Sequence, residues 1–239
     1  MKRLVPFFAV FLLTACTPDE SLFKTDIPVS RPSIEQRLQA ASEIKAEKPL
    51  PEKINLDVPF YPQAPDADWN MPWQEACEEA SMTLAYYYAM NKDLTKDKFR
   101  ERILELVDWQ EEHHGSYIHS TVEQMMDIFQ DYFGFYSIRL IEDPTVEDMK
   151  KELAKGNVIV APFAGQMLGN PFYSGEGPYY HVMVIKGYDD KNFITNDVGT
   201  RRGEDFLYSY KTIMNSMHDY LAWGIEEAPA RIIVVEETD

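Results

Sequence analysis

The chain has 239 residues, 40 of them acidic against 23 lysines and arginines, for a formal net charge of -17. So large an acidic excess argues against nucleic acid and against anionic lipid surfaces as partners, and it favours solubility. Two cysteines make no disulfide framework, and the length suits one globular domain with accessory segments.

Lys2 and Arg3 form a short positive segment, residues 4–13 an apolar run, and Leu13-Thr14-Ala15-Cys16 resembles a lipobox, after which bacterial lipoproteins are cut and their cysteine acylated. The apolar run is too short for a membrane span, which takes roughly 20 residues. Residues 1–15 are therefore expected to be a lipoprotein signal peptide. Cys16 is expected to be the lipidation site that anchors an exported chain to a bacterial membrane, on its periplasmic or cell-surface side. Residues 16–53 contain Pro18, Pro28, Pro32, Pro49 and Pro51 with many charges and few aromatics, the composition of a tether. Helix-forming composition over 33–48 allows a helix within it. The globular domain is expected at 54–239.

Within that domain, residues 55–61 alternate like a short strand and 77–90 read as a buried helix. Thr95 can cap a helix reaching Trp109, and Ser120 with Glu123 and Thr145 with Asp148 have capping-box spacing for two more. After Gly156, a helix stop, the pattern turns to strands at 157–163, 181–188, 193–197, 205–208 and 230–236. Helices first and strands later predict an α+β fold.

With Cys16 assigned to export, Cys77 is the thiol left for chemistry. It opens the helix at 77–90, where backbone N–H groups and the helix dipole favour the thiolate, the nucleophilic form. Against this, Glu75, Glu78 and Glu79 crowd it with negative charge, which raises a thiol pKa unless they point away. His181 opens an apolar strand and Asp197 ends the next. In an antiparallel hairpin the two share a face only if paired positions sum to an even number. A three-residue loop placing Met183 opposite Asp197 achieves this, whereas a two- or four-residue loop separates them unless a bulge intervenes. Cysteine, histidine and carboxylate then make a nucleophile, its base and the group that orients the base.

Glu111, Glu112, His113, His114 and His119 match no zinc-ligand spacing and read as a polar loop, so neither metal nor cofactor is expected. Residues 163–180, rich in glycine and proline and ending at His181, are long for a connection and read either as a substrate-facing lid or as a surface loop. Tyr86-Tyr87-Tyr88 and Met125, Met126, Met149, Met167 and Met183 read as packing.

Several stretches together resemble one family. Val58-Pro59-Phe60-Tyr61-Pro62-Gln63 precedes the nucleophile and Glu75-Ala76-Cys77-Glu78-Glu79-Ala80 surrounds it. Lys155-Gly156-Asn157, Tyr180-His181-Val182, Gly187-Tyr188-Asp189 and Asn196-Asp197-Val198-Gly199-Thr200 follow in order. The pattern resembles the papain clan, and within it the bacterial cysteine peptidases of family thirty-nine, relatives of the bacteriocin-leader peptidases. The resemblance implies a papain-like fold and thiol-dependent acyl transfer through a thioester, with Cys77 as nucleophile, His181 as acid and base, and Asp197 orienting His181. It further implies an oxyanion held by the Cys77 backbone N–H and a glutamine side chain, for which Gln63 is favoured over Gln74. The expected activity is that of a membrane-anchored hydrolase of peptide or protein substrates. An amidase or transglutaminase-like acyltransferase, or a binding lipoprotein without turnover, would use the same fold. Oligomeric state is left open.

Overall fold

Helix α1 (Cys77–Ala89) is apolar or small on nearly every face, and Ala80, Met82, Leu84, Ala85 and Ala89 are fully buried. A helix that is apolar all round has to be covered all round, and α1 accordingly forms the centre of the fold. The computed structural model describes residues 49–238 together with Ser33. The lipobox, Cys16 and nearly all of the tether, including its expected helix, lie outside the described residues.

Helix α2 (Lys96–His113) begins where expected, with the Thr95 side chain accepting from the Lys98 N–H, and its buried stripe of Phe99, Ile103, Leu106, Val107 and Gln110 faces the core. Helix α3 (Val122–Asp127) continues into a π-helical turn, Ile128–Tyr132. Its capping box is Thr121 with Gln124, one residue beyond the expected Ser120 and Glu123. Ser120 is committed elsewhere: its hydroxyl donates to Gln110 Oε1 at 2.6 Å and its N–H to Glu78 Oε1 at 2.9 Å. Helix α4 (Val146–Ala154) has the expected Thr145 and Asp148 box, and a short α5 (Tyr210–Ser216) was not anticipated.

The strands form one antiparallel sheet in the order β2 (Ile138–Glu142), β7 (Arg231–Val235), β3 (Val158–Ala164), β4 (Tyr180–Tyr188), β5 (Asn192–Asn196), β6 (Phe206–Ser209), with β1 (Ile54–Asn55) pairing to β4. The strand expected at 55–61 shrinks to β1, and β2 was not anticipated. Helices cover both faces. Val158, Val160, Val182 and Val184 belong to the cluster that includes α1 and α2, while Ile159, Ala161, Met183 and Ile185 belong to the one with Met149 and Leu153 of α4 and Ile213 of α5. Double coverage explains why β3 and β4 read as unbroken apolar runs rather than alternating ones. Each fully buried Val, Leu or Ile here contributes about 1.5–3 kcal/mol relative to exposure. The Ser81 hydroxyl donates to the Val182 carbonyl at 3.0 Å, pinning α1 to β4 four residues past Cys77 and one residue past His181.

Candidate active site

The hairpin β4–β5 brings His181 and Asp197 together, but not through a three-residue loop. Tyr188 pairs with Phe193 and Gly187 with Ile194, leaving four residues in the connection and an odd pairing sum. A bulge between Ile185 and Gly187 then shifts the register, so that Ile185 pairs with Thr195 and Val184 with Asn196. Continued past the last ladder pair, that register places Asp197 opposite Met183, on the histidine's face. The extra residue of the bulge, Lys186, is buried, with its Nζ 2.8 Å from Asp205 Oδ1.

Asp197 is completely buried and densely liganded. His181 Nε2 lies 2.8 Å from its Oδ1, which also accepts the Gly199 N–H at 3.0 Å. Its Oδ2 accepts from the Tyr173 hydroxyl at 2.7 Å, the Tyr208 hydroxyl at 2.6 Å and Asn170 Nδ2 at 2.9 Å. Burial alone pushes its pKa upward, but His181 and these hydroxyl donors outweigh it and hold the carboxyl down at about 2. The backbone after Asp197 turns sharply around two glycines. A Cβ on Gly199 would stand 2.9 Å from His181 Cε1, and one on Gly203 would stand 1.7 Å from the Asp197 carbonyl oxygen. Adjacent Asn196 points elsewhere, donating to the Val58 and Pro59 carbonyls at 3.2 and 3.1 Å. Asn170, Tyr173 and Tyr208 were not singled out from the sequence, since Asn170 and Tyr173 sit in the long 163–180 segment and Tyr208 in a strand with no motif around it. Tyr173 also packs edge-on against the His181 ring, with centroids 5.5 Å apart.

Cys77 opens α1 as expected, and as the first helical residue its N–H has no carbonyl partner four residues back. The expected thiolate is not the state favoured here. Burial pushes the Cys77 pKa well up, and the charge of Glu78 and a hydrogen bond to it push the same way, while the Val182 N–H pulls in the opposite sense. The Cys77 thiol donates to Glu78 Oε2 at 3.0 Å. Glu78 and Glu79 do not point into solvent. Both are buried, whereas Glu75 is half-buried at the cleft edge. The bias of a helix N-terminus, worth about 0.3–1 kcal/mol at an exposed surface, is smaller than the cost of placing an anion beside a buried carboxylate.

Cys77 and His181 line the same open cleft of about 1090 Å³. Trp69, Phe172, Tyr179 and the pair Arg201 and Arg202 line it too, so the 163–180 segment does face the cleft. Gln63 and Gln74 are also on its walls. Gln63 Nε2 donates to the Trp73 and Gln74 carbonyls at 2.9 and 3.0 Å, bracing the short 3-10 turn Trp73–Glu75 that leads into Cys77, and its buried Oε1 has no partner. Gln74 Nε2 reaches Glu75 Oε1 at 3.3 Å. Among the described residues no group of three or more histidine, cysteine or acidic side chains is arranged to hold a metal ion. His113 stacks on Trp109 with ring centroids 4.2 Å apart.

Helices packed on an antiparallel sheet, with a cysteine at the start of the central helix and a histidine–aspartate pair beside it, define an α+β protein of papain-like arrangement, as the sequence led us to expect. The sequence profile of the Peptidase_C39 like family matches residues 55–225. The chain belongs to that family. Among solved structures it is similar to a crystal structure assigned to a C39-like peptidase from Bacillus anthracis, with a TM-score of 0.52 and 16% identity over 79% of this chain and 100% of that one. At that identity the likeness is one of fold. A search of curated proteins gave no match.

Proposed function

We propose that this protein is a thiol-dependent hydrolase of peptide bonds that uses Cys77, His181 and Asp197 through a thioester intermediate. The observation that carries the reading is the 2.8 Å contact between His181 Nε2 and a buried, strongly acidic Asp197, on the wall of a cleft that Cys77 also lines. With Nε2 donating to Asp197, the other ring nitrogen, Nδ1, is the one left to act as base. It takes the thiol proton as sulfur attacks the substrate carbonyl, and Asp197 stabilises the imidazolium so formed. The carbonyl oxygen gathers negative charge facing the Cys77 N–H. On collapse the C–N bond breaks, His181 returns its proton to the departing amine, and a thioester remains for water to cleave. Gln63 as placed braces the turn before Cys77, and a contribution to the oxyanion would require one of its N–H groups to leave a carbonyl of that turn. An open cleft with aromatic walls suits an extended peptide.

A mixed peptide substrate followed by mass spectrometry tests this reading. Wild-type protein should cleave, and Cys77→Ser should lose on the order of 10⁴ or more of the rate, as removal of a nucleophile does elsewhere. Cleavage that survives Cys77→Ser would refute the assignment.

We also propose, from the lipobox alone, that Cys16 carries the membrane anchor. Wild-type protein should partition into detergent and Cys16→Ser should not. Equal partitioning of the two would exclude lipidation there.

A further inference from the structure

Glu78 is an unusual neighbour for a nucleophile. It follows Cys77 on α1, is 1% exposed, and spends one carboxyl oxygen on the thiol at 3.0 Å and the other on the Ser120 N–H at 2.9 Å. Behind it lies a second buried carboxyl. Glu79 bonds Gln110 through one oxygen, its other oxygen is buried without a partner, and Gln110 in turn accepts from the Ser120 hydroxyl at 2.6 Å. Ser120 is itself held through its carbonyl by the Tyr180 hydroxyl at 2.8 Å. A carboxylate placed this way favours the wrong form of the nucleophile, because it accepts from the thiol and repels the thiolate.

We propose that Glu78 is a proton-operated gate on Cys77: as a carboxylate it retains the thiol, and as a carboxylic acid it donates to sulfur and releases the thiolate for attack. This rests on the nucleophile reading above. In the opening step Glu78 takes one proton from solvent. The Cys77 S–H bond then breaks, its proton passes to the imidazole of His181, and the Glu78 O–H turns its hydrogen bond toward the sulfur anion. Glu78 acts through Cys77 and is a positioning residue.

The groups that face Glu78 are Cys77 and Glu79 on its own helix, His181 and Tyr180 on β4, and Tyr117 with the Ser120 N–H from the segment before α3. Burial pushes the Glu78 pKa up to about 7, against the opposing pull of the Cys77 and backbone hydrogen bonds and of His181. Burial and the Glu78 charge push Glu79 well up as well. The sign follows: the gate is open below the Glu78 pKa and closes as pH rises through it, which is opposite to the behaviour of an isolated thiol.

Iodoacetamide alkylation of the full chain, with Cys77 read by peptide mapping across pH 5–9, tests this. In the wild type the Cys77 rate should fall as pH rises through neutrality. In Glu78→Gln the amide keeps a donor for sulfur and an acceptor for Ser120 without the charge, so the falling limb should vanish. At the alkaline end of the range that variant should then label about tenfold faster than wild type or more, the change in thiolate population for one unit of thiol pKa. A wild-type profile that only rises with pH, matched by the variant, would overturn the gate while leaving Cys77 as nucleophile. Cys77 labelled only after denaturation would overturn both. Should Glu78→Gln fail to fold, the wild-type profile decides alone, with thiolate absorbance over the same range as a second reading.

Discussion

Asp197→Asn is expected to lower kcat on the order of 10²- to 10⁴-fold while leaving the protein folded. The Asp197 carboxylate collects five donors, two on Oδ1 and three on Oδ2. An asparagine can keep its carbonyl toward His181 and Gly199, because the Tyr173 and Tyr208 hydroxyls can rotate to accept from its amide. Asn170 Nδ2 then loses one of its two acceptors and keeps the Tyr208 hydroxyl, which it reaches at 2.8 Å. In that orientation His181 keeps its tautomer but loses the negative charge that supports the imidazolium. In the reversed one, His181 Nε2 must become an acceptor and Nδ1 ceases to be a base. Either way the chemical step suffers more than substrate binding. Asp197→Ala is a different experiment, because it takes an acceptor from five donors, those of His181, Asn170 and Tyr208 on buried residues, and should also cost about 3–5 kcal/mol of stability. Asn196→Ala should reduce stability through its lost contacts to Val58 and Pro59 and spare most of the rate. Steady-state kinetics with thermal melts on the three variants check this. Near-normal kcat in Asp197→Asn would remove Asp197 from the mechanism.

The residues of the candidate site were legible because they sit at element boundaries that composition marks. Cys77 precedes a run of small and apolar residues, and His181 heads a strand with no polar residue until Lys186. The even-sum condition on the hairpin was legible too, as was the alternative that a bulge would be needed with a longer loop. The choice between them was not, because it depends on burying Lys186 beside Asp205, a contact made across the sheet. The same holds for the polar ring around Asp197. Asn170, Tyr173 and Tyr208 are 27, 24 and 11 residues from it, and no local pattern announces such contacts. Helix α3 began one residue late for a related reason, since both Ser120 and Thr121 are good caps and the tie is broken by Glu78 and Gln110 claiming Ser120. The acidic residues around Cys77 were noticed, but a sequence read alone expects glutamates on a surface. That two of them are buried against the nucleophile is a property of the packed helix α1, covered on all sides.

The central claim is that Cys77 and His181 work as one unit, and removing the base should therefore silence the thiol. His181→Ala deletes the only group proposed to take the thiol proton, while burial continues to disfavour the thiolate. It also removes the hydrogen-bond partner of Asp197 Oδ1, so circular dichroism must first show the variant folded. The direct measurement is trapping with a peptidyl acyloxymethyl ketone at mildly acidic pH, followed by intact-protein mass spectrometry and mapping of the modified residue. The thiolate displaces the carboxylate leaving group and leaves one stable thioether on the enzyme. Wild-type protein should be modified once, at Cys77, and the folded His181→Ala variant should react slower on the order of 10²- to 10³-fold. Equal rates in the two proteins, or modification of Cys77 only after unfolding, would contradict the account.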